Sequence, residues 1–264
     1  MFLTLPFPMI DPIAISVGSF KVYWYGLAYV VGTLLAWSYG NSLLKKHPTG
    51  LKQENFDDGI VWILLSAVIG GRIGYIFFYD PSMIIHHPLE ALKTWHGGMS
   101  FHGGLIGVII GSLILCHRKK IHYFKLMDLV GTGIPIVLFL GRLANFINAE
   151  MYGRVTDAPW GIVYPNGGPN PRHPSQLYEA FFEGVILLLF LNWCWKRPTL
   201  RETPGRMSGL FLIGYGFFRI AIECFKEPES WVGPLTIGQL LSLPLLGIGW
   251  YLVRRPVKIS SPDA

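Results

Sequence analysis

The chain has 264 residues, of which 51% are hydrophobic and 14% are charged, with a formal net charge of +6 at pH 7. Together with a mean hydropathy of +0.41, this composition excludes an ordinary soluble domain and indicates a membrane-embedded protein. It also argues against a nucleic-acid-binding protein, because the lysines and arginines form short clusters between apolar runs.

The predicted architecture is an all-α integral membrane protein that forms a single domain over residues 1–264. A bilayer-spanning helix needs about 20 mostly apolar residues. Seven segments meet that length: about 20–42, 57–79, 98–117, 127–148, 176–195, 207–225 and 235–253. The apolar segment before them has three prolines and no basic leader, so we expect it to be retained as an irregular interfacial segment. We expect the residues after Arg255 to form a disordered tail.

The basic residues of the connections predict the orientation of the seven spans. Lysines and arginines concentrate in four connections, at 45–52, 118–125, 196–206 and 254–258. Because short cytoplasmic loops carry the excess of positive charge, the N-terminus is predicted outside and the C-terminus in the cytoplasm. This orientation places nearly all the buried polar residues in the outer half of the bilayer, beneath two long outer connections.

The first three spans each contain one polar candidate. Tyr25 lies in the motif YWYG, where aromatic residues are typical of an interfacial belt, but Tyr25 is also a candidate for substrate contact. Arg72 in the second span either joins a site or anchors packing. His102 in the third span is flanked by glycines, which let a substrate or another helix approach. It is either a hydrogen-bonded packing residue or a general base.

The fourth span ends in the stretch GRLANFINAEMYG, residues 141–153. A charged residue inside a membrane span costs about 2.5–3.5 kcal/mol on insertion scales, so it usually faces a partner, a cavity or a ligand. Arg142 and Asn145 are three positions apart and share a helix face. Because guanidinium binds phosphate through paired donors, Arg142 predicts a site for a phospholipid headgroup.

Arg219 and Glu223 are four positions apart in the sixth span and also share a helix face. One interpretation is an ion pair within the helix that reduces the cost of burial. The other is that Arg219 joins Arg142 at the headgroup site. Arginines at one predicted depth in separate spans favour the second interpretation.

Other chemistries find little support in the sequence. Ser100 lies in GMSFH, which is not the GxSxG motif of a serine hydrolase. Three histidines lack the spacing of a metal site: His96, His102 and His173. Three cysteines lie singly near the ends of apolar runs: Cys116, Cys194 and Cys224. We therefore expect no disulfide and no metal site.

Two other classes of membrane protein remain as alternatives. A transporter of lipid or small solutes typically binds its substrate at the midplane, within inverted repeats. Here the polar residues are predicted near one face, and no internal repeat is evident. A seven-helix receptor would need a cytoplasmic surface for a partner, whereas the predicted inner loops are short and basic.

These motifs resemble the prolipoprotein diacylglyceryl transferase family of bacteria almost from end to end. The most specific match is the stretch GRLANFINAEMYG at 141–153. Five further blocks follow the family in order: YWYG at 23–26, GGRIGY at 70–75, GGMSFHGGLIG at 97–107, RHPSQLYE at 172–179 and GLFLIGYGFFRIAIE at 209–223.

The resemblance implies an enzyme of the bacterial inner membrane that performs the first step of lipoprotein maturation. Its substrates would be phosphatidylglycerol and a prolipoprotein whose signal peptide carries a lipobox cysteine. The diacylglyceryl group would move to the cysteine thiol, forming a thioether and releasing glycerol phosphate. The resemblance implies no metal, organic cofactor or nucleic acid.

The resemblance also implies roles for individual residues. His102 would take the thiol proton or stabilise the thiolate, Arg142 would hold the lipid phosphate, and Arg219 would stabilise its departure. Glu223 would orient Arg219. The resemblance assigns the substrate pocket to these residues: Tyr25, Arg142, Asn145, Glu150, Gly153 and Glu223.

Overall fold

The computed structural model describes residues 5–18, 20–86, 89–94, 97–228 and 230–256. Its strands and helices are, in chain order, β1 (Leu5–Pro6), β2 (Ile13–Val17), β3 (Phe20–Tyr23), α1 (Trp24–Lys46), α2 (Gln53–Tyr79), α3 (Met83–His86), α4 (Phe101–Lys119), α5 (Tyr123–Ile147), β4 (Ile162–Val163), α6 (Ser175–Trp195), α7 (Pro198–Arg201), α8 (Arg206–Glu223), β5 (Trp231–Val232), β6 (Leu235–Thr236) and α9 (Ile237–Arg254). A short 3₁₀ turn covers Glu90–Leu92. His96 and the expected tail from residue 257 onward lie outside the described residues.

The helices match the predicted spans to within a few residues at most of their ends. Among the described residues, five helices are long and apolar enough to cross a membrane: α2, α4, α5, α6 and α9, with mean hydropathies from 1.2 to 1.9. The other two predicted spans coincide with α1 and α8. The chain is thus mostly helical and suited to cross a membrane several times.

The expectation of an irregular N-terminal segment is wrong for the residues that form β1 and β2, whereas residues 7–12 form neither strand nor helix. Strand β1 pairs in parallel with β4, and β2 pairs with β3 in an antiparallel hairpin. Gly18 adopts a φ of 60° at the turn of the hairpin, a conformation that glycine tolerates without strain. The first helix therefore begins at Trp24, after the predicted start at residue 20, and the fold contains short β-ribbons in addition to helices.

The helices group into two compact units. The larger unit contains the residues up to Leu43 and those from Met127 onward, and the smaller unit contains Leu44–Leu126. The single domain expected from the sequence stays a prediction.

In the smaller unit, α2 and α4 pack against each other through glycines. A Cβ atom added to Gly70 would lie 2.5 Å from the carbonyl oxygen of Gly103 and 2.7 Å from the Cα of Gly107. Such distances leave no space for a side chain, so the two backbones meet directly. The glycines beside His102 therefore admit another helix, one of the two possibilities that the sequence left open.

In the larger unit, α5 packs against both α1 and α6. A Cβ on Gly32 of α1 would lie 3.2 Å from the Cα of Val137, and one on Gly184 of α6 would lie 2.7 Å from the Cβ of Phe139. The last turns of α5 and α8 and the first turn of α6 meet at one end of this unit, as the contacts of their charged side chains show.

Candidate functional site

A buried carboxylate, Glu179 in the first turns of α6, joins three cations. The side chain of Glu179 is 0% exposed, and Arg142 Nε lies 3.3 Å from its Oε2. Lys226 Nζ lies 3.2 Å from Oε1, and Arg219 Nη1 donates a hydrogen bond to the same oxygen. A carboxylate removed from water needs such partners to remain charged. Glu179 therefore links the ends of α5 and α8 and the segment after α8.

Two further carboxylates border the same arginines. Arg142 Nη2 lies 3.8 Å from Glu183 Oε2, and Arg219 Nη2 lies 3.3 Å from Glu223 Oε2. We call these six residues the charged cluster: Arg142, Glu179, Glu183, Arg219, Glu223 and Lys226. The arginine side chains are 15% and 16% exposed, whereas Lys226 and the three carboxylates are buried. The arginines are thus the cations of the cluster that solvent or a ligand can reach.

Helix geometry explains how the cluster is assembled. Arg219 and Glu223 are neighbours on the surface of α8 because they are four residues apart. Glu179 and Glu183 are also four apart, but a π-helical turn over Ala180–Ile186 widens α6 between them. Such turns are rare and often occur at functional sites. This one places both carboxylates near Arg142.

The turn after α5 brings Glu150 back onto the helix. Asn145 Nδ2 donates to Glu150 Oε1 at 2.8 Å, and Asn148 Nδ2 donates to the same oxygen at 3.2 Å. Ala149 and Met151 on either side adopt φ values of 54° and 57°, which are uncommon for residues other than glycine. This turn conformation therefore holds the Glu150 carboxylate against Asn145.

Residues near the start of α6 fix this turn. Ser175 Oγ donates to the carbonyl oxygen of Met151 at 2.9 Å, and Gln176 Nε2 donates to that of Glu150. Tyr164 in turn donates its hydroxyl hydrogen to Gln176 Oε1 at 3.1 Å, and burial raises the pKa of this phenol well above its ordinary value. The helix that carries Glu179 thus also holds the pocket residues predicted from the sequence.

Gly153 lies where three chain segments meet. Its N–H donates to the carbonyl oxygen of His173 at 2.8 Å, and it forms a β-bridge with Lys226. A Cβ at this position would lie 2.7 Å from the Cβ of His173 and closer still to the carbonyl oxygen of Phe225. Gly153 therefore allows the backbone contact that positions Lys226 for its ion pair.

Gly153→Ala is expected to destabilise the protein by about 1–3 kcal/mol, because the methyl group overlaps with backbone atoms. The measurement is the thermal unfolding of the purified protein in detergent. Gly247→Ala in α9 is the matched control, since a Cβ there meets no described atom within 4 Å. Equal melting temperatures for the two variants would contradict the close approach at Gly153.

His173 and Trp160 both contact the hydroxyl of Tyr178 near the start of α6. His173 Nδ1 lies 3.1 Å from the hydroxyl of Tyr178, which accepts a hydrogen bond from Trp160 Nε1 at 2.7 Å. Burial lowers the pKa of the His173 imidazole below its ordinary value, so the ring is neutral at pH 7. His173 therefore fastens the 149–175 connection to α6.

Tyr25, the pocket candidate of the first span, belongs to the larger unit. It lies in the first turn of α1 and is 41% exposed, with its hydroxyl 3.3 Å from that of Tyr29. It is close enough to Arg142 and Glu150 to interact with their charges. The structure thus gathers all the predicted site residues of the larger unit at one end of that unit.

His102 and Arg72 belong to the smaller unit. His102 is exposed in the first turn of α4, and its ring centroid lies 5.6 Å from that of Phe101 in an edge-to-face arrangement. Arg72 is buried and donates to the carbonyl oxygens of Glu90, Ala91, Gly97 and Gly98. Of its two interpretations, these contacts favour an anchor for packing, because they tie the connection between α3 and α4 to α2.

Three residues of the charged cluster were not among the predicted site residues: Glu179, Glu183 and Lys226. A signal existed for the two glutamates, since carboxylates four residues apart in an apolar span need cationic partners. Lys226 carried no such signal, because a single lysine after a span is typical of an ordinary connection.

The similarity of the chain to known proteins is extensive. The family model described as prolipoprotein diacylglyceryl transferase matches residues 12–255. The chain is 47% identical over 254 residues to the phosphatidylglycerol–prolipoprotein diacylglyceryl transferase of Rickettsia felis, covering 94% of this chain and 98% of that relative. It is 46% identical over 266 aligned positions to the protein of the same name from Rhodospirillum rubrum, covering 98% and 97%.

Proposed function

The chain belongs to the prolipoprotein diacylglyceryl transferase family, and from that premise we propose that its charged cluster is the place where phosphatidylglycerol reacts. The chain is a transferase of lipoprotein biosynthesis. It transfers the diacylglyceryl group of phosphatidylglycerol to a prolipoprotein, which is the first step of lipoprotein lipidation.

One observation carries the proposed site. Arg142 and Arg219 come from different helices, meet at Glu179, and keep part of their side chains exposed. Two guanidinium groups at one place form a binding site for a phosphate with several oxygens. Asn145, Glu150 and Gly153 shape the adjoining pocket for the glycerol headgroup, and Tyr25 contacts the substrate at its edge.

The proposed reaction is a displacement at the glyceryl carbon next to the phosphate. The lipobox cysteine of the prolipoprotein loses its thiol proton to His102, because the thiolate is the nucleophilic form. A carbon–sulfur bond forms while the carbon–oxygen bond to the phosphate breaks, and the bonding electrons stay on the phosphate oxygen. Arg142 and Arg219 stabilise the negative charge that accumulates there, and Glu223 orients Arg219. The products are the thioether and glycerol phosphate.

The proposed topology has seven membrane spans in one domain of the bacterial inner membrane. The positively charged connections lie in the cytoplasm, the N-terminus lies outside, and the charged cluster lies beneath the outer surface. The lysines and arginines of the connections support this orientation. The polar residues at the ends of α5, α6 and α8 also support it. It would place the site on the side where a secreted prolipoprotein presents its signal peptide.

The purified protein tests the proposed function directly. It is mixed with phosphatidylglycerol and a lipobox peptide, and the peptide is analysed by mass spectrometry. We expect a diacylglyceryl adduct on the cysteine, and none on a peptide in which serine replaces that cysteine. Adduct on another residue, or movement of lipid without any adduct, would contradict the proposed reaction.

His102→Gln is expected to lose most of its turnover, because glutamine cannot take the thiol proton. The same adduct assay is run across a pH series. Loss of activity should be smallest at high pH, where the thiol, with an ordinary pKa of about 8.5, ionises without help. A variant that keeps most of its activity with an unchanged pH profile would exclude His102 as the base.

A further inference from the structure

We propose that Glu183 takes up one proton from solvent when an anionic phosphate binds to the charged cluster. The proposal rests on the proposed function, since it assigns the phosphate of phosphatidylglycerol to this cluster. Nothing in the displacement itself requires Glu183. Its role follows from the charges that surround it.

The charged cluster has no positive charge to spare. Within the described residues it contains three cations and three carboxylates, so its formal charge is zero. The Glu150 carboxylate next to Asn145 adds a further negative charge nearby. A phosphodiester that enters the cluster therefore creates an excess of negative charge in a buried site that water screens poorly, which is unfavourable. One proton removes that excess.

Glu183 is the carboxylate of the cluster with the weakest support for its charge. It is 0% exposed, and neither of its carboxylate oxygens accepts a hydrogen bond from any described residue. Its nearest cation, Arg142, is 3.8 Å away, whereas Glu179 has three closer cationic contacts. A buried carboxylate without hydrogen bonds is the one that protonates most readily.

The groups that act on Glu183 come from every helix around it. They are Arg142 of α5, Glu179 of its own helix, Tyr215 and Arg219 of α8, and Lys226 beyond α8. Lys226 is the main competitor as proton acceptor, because burial lowers the pKa of its ammonium group below the ordinary value. Its ion pair with Glu179 opposes that shift. The experiment separates these two residues.

The binding of phosphate and the binding of the proton favour each other. If the complex holds one more proton than the free protein, affinity for the phosphate falls as pH rises, by up to about tenfold per pH unit. Affinity falls, and does not rise, with increasing pH because the bound state needs a proton that becomes scarcer in alkaline solution. A variant that carries no charge at position 183 should lose this dependence.

Calorimetric titration of the full-length protein with phosphatidylglycerol in detergent tests the proposal. The titration is repeated within pH 7.5–8.5, a range chosen for the test, in buffers of different ionisation enthalpy. The change of the measured binding heat with the buffer gives the number of protons taken up. We expect close to one for the wild type and close to none for Glu183→Gln, whose affinity should change little with pH. The matched control is Glu227→Gln, since the Glu227 side chain is 56% exposed and pairs with Arg172, which is not a member of the cluster.

The outcomes distinguish this proposal from the proposed function. Binding of phosphatidylglycerol by the wild type with no proton uptake overturns the role of Glu183 and leaves the transfer reaction intact. Uptake that persists in Glu183→Gln but disappears in Lys226→Met assigns the proton to Lys226 and overturns the proposal. Failure of the wild type to bind phosphatidylglycerol contradicts the proposed site itself. A wild-type protein that binds phosphatidylglycerol without proton uptake overturns the proposal even if a variant fails to fold, and Glu183→Gln and Lys226→Met are each sufficient to assign the proton if the other does not fold.

Discussion

Arg142→Lys is expected to lower the rate of diacylglyceryl transfer at least about 100-fold, and Arg142→Ala should lower it about 1000-fold or more. The guanidinium of Arg142 faces two carboxylates with different nitrogens: Nε lies near Glu179, and Nη2 lies near Glu183. An ammonium group is a single point of charge and cannot contact both carboxylates and a phosphate at once. The measurement is the initial rate of adduct formation on a lipobox peptide.

Arg197→Lys serves as the control for this pair of variants. Arg197 stacks on the ring of Trp193 at 3.7 Å from its centroid, at the end of α6 that is remote from Glu179 in sequence. Its replacement keeps the charge and should leave the rate unchanged. Full activity in Arg142→Lys would show that the planar guanidinium is not needed, and the paired binding of phosphate would be wrong.

Glu179→Ala is expected to destabilise the protein by about 3–5 kcal/mol, because it leaves a buried cation without its partner. Lys226 loses its ion pair, while Arg142 and Arg219 keep only the more distant Glu183 and Glu223. The apparent Tm in detergent should fall by roughly 6–20 °C, at about 2–4 °C per kcal/mol for a chain of this size. Transfer activity should fall with it even below the Tm, since the two arginines are no longer held together.

Two variants separate the loss of charge from the loss of packing. Glu202→Ala removes a 55% exposed partner of Arg201 and should change the Tm little, since exposed pairs contribute about 0–1 kcal/mol. Combining Glu179→Ala with Lys226→Met removes the unpaired ammonium, so the double variant should be more stable than Glu179→Ala alone. A double variant with fully additive losses would contradict the ion pair as the cause.

The sequence predicted the helices of the site and two of its cations, and the reason is the cost of charge in a membrane. Arg142 and Arg219 stand out in apolar spans, and their helix faces follow from spacing alone. The contact of both arginines with one carboxylate could not be predicted, because residue spacing within a helix does not show which other helix packs against its end. Spacing alone therefore did not identify Glu179 as the common partner of the two arginines.

Other features had no pattern that a sequence could show. Arg72 donates to backbone carbonyl oxygens, and any residue supplies such an acceptor, so no partner was recognisable. The π-helical turn in α6 lies where Gly184 packs against Phe139 of α5, a contact between two helices that residue spacing does not reveal. The N-terminal strand β1 forms because β4 lies beside it, a pairing between residues far apart in the chain.

The joint at Glu179 also limits how the enzyme can move. One oxygen of this side chain holds both Arg219 and Lys226, while the other borders Arg142. The three segments that carry these cations are therefore coupled, and none can move away from Glu179 without breaking a buried ion pair. We therefore expect a gap that admits a two-tailed lipid to open at a part of these helices away from Glu179.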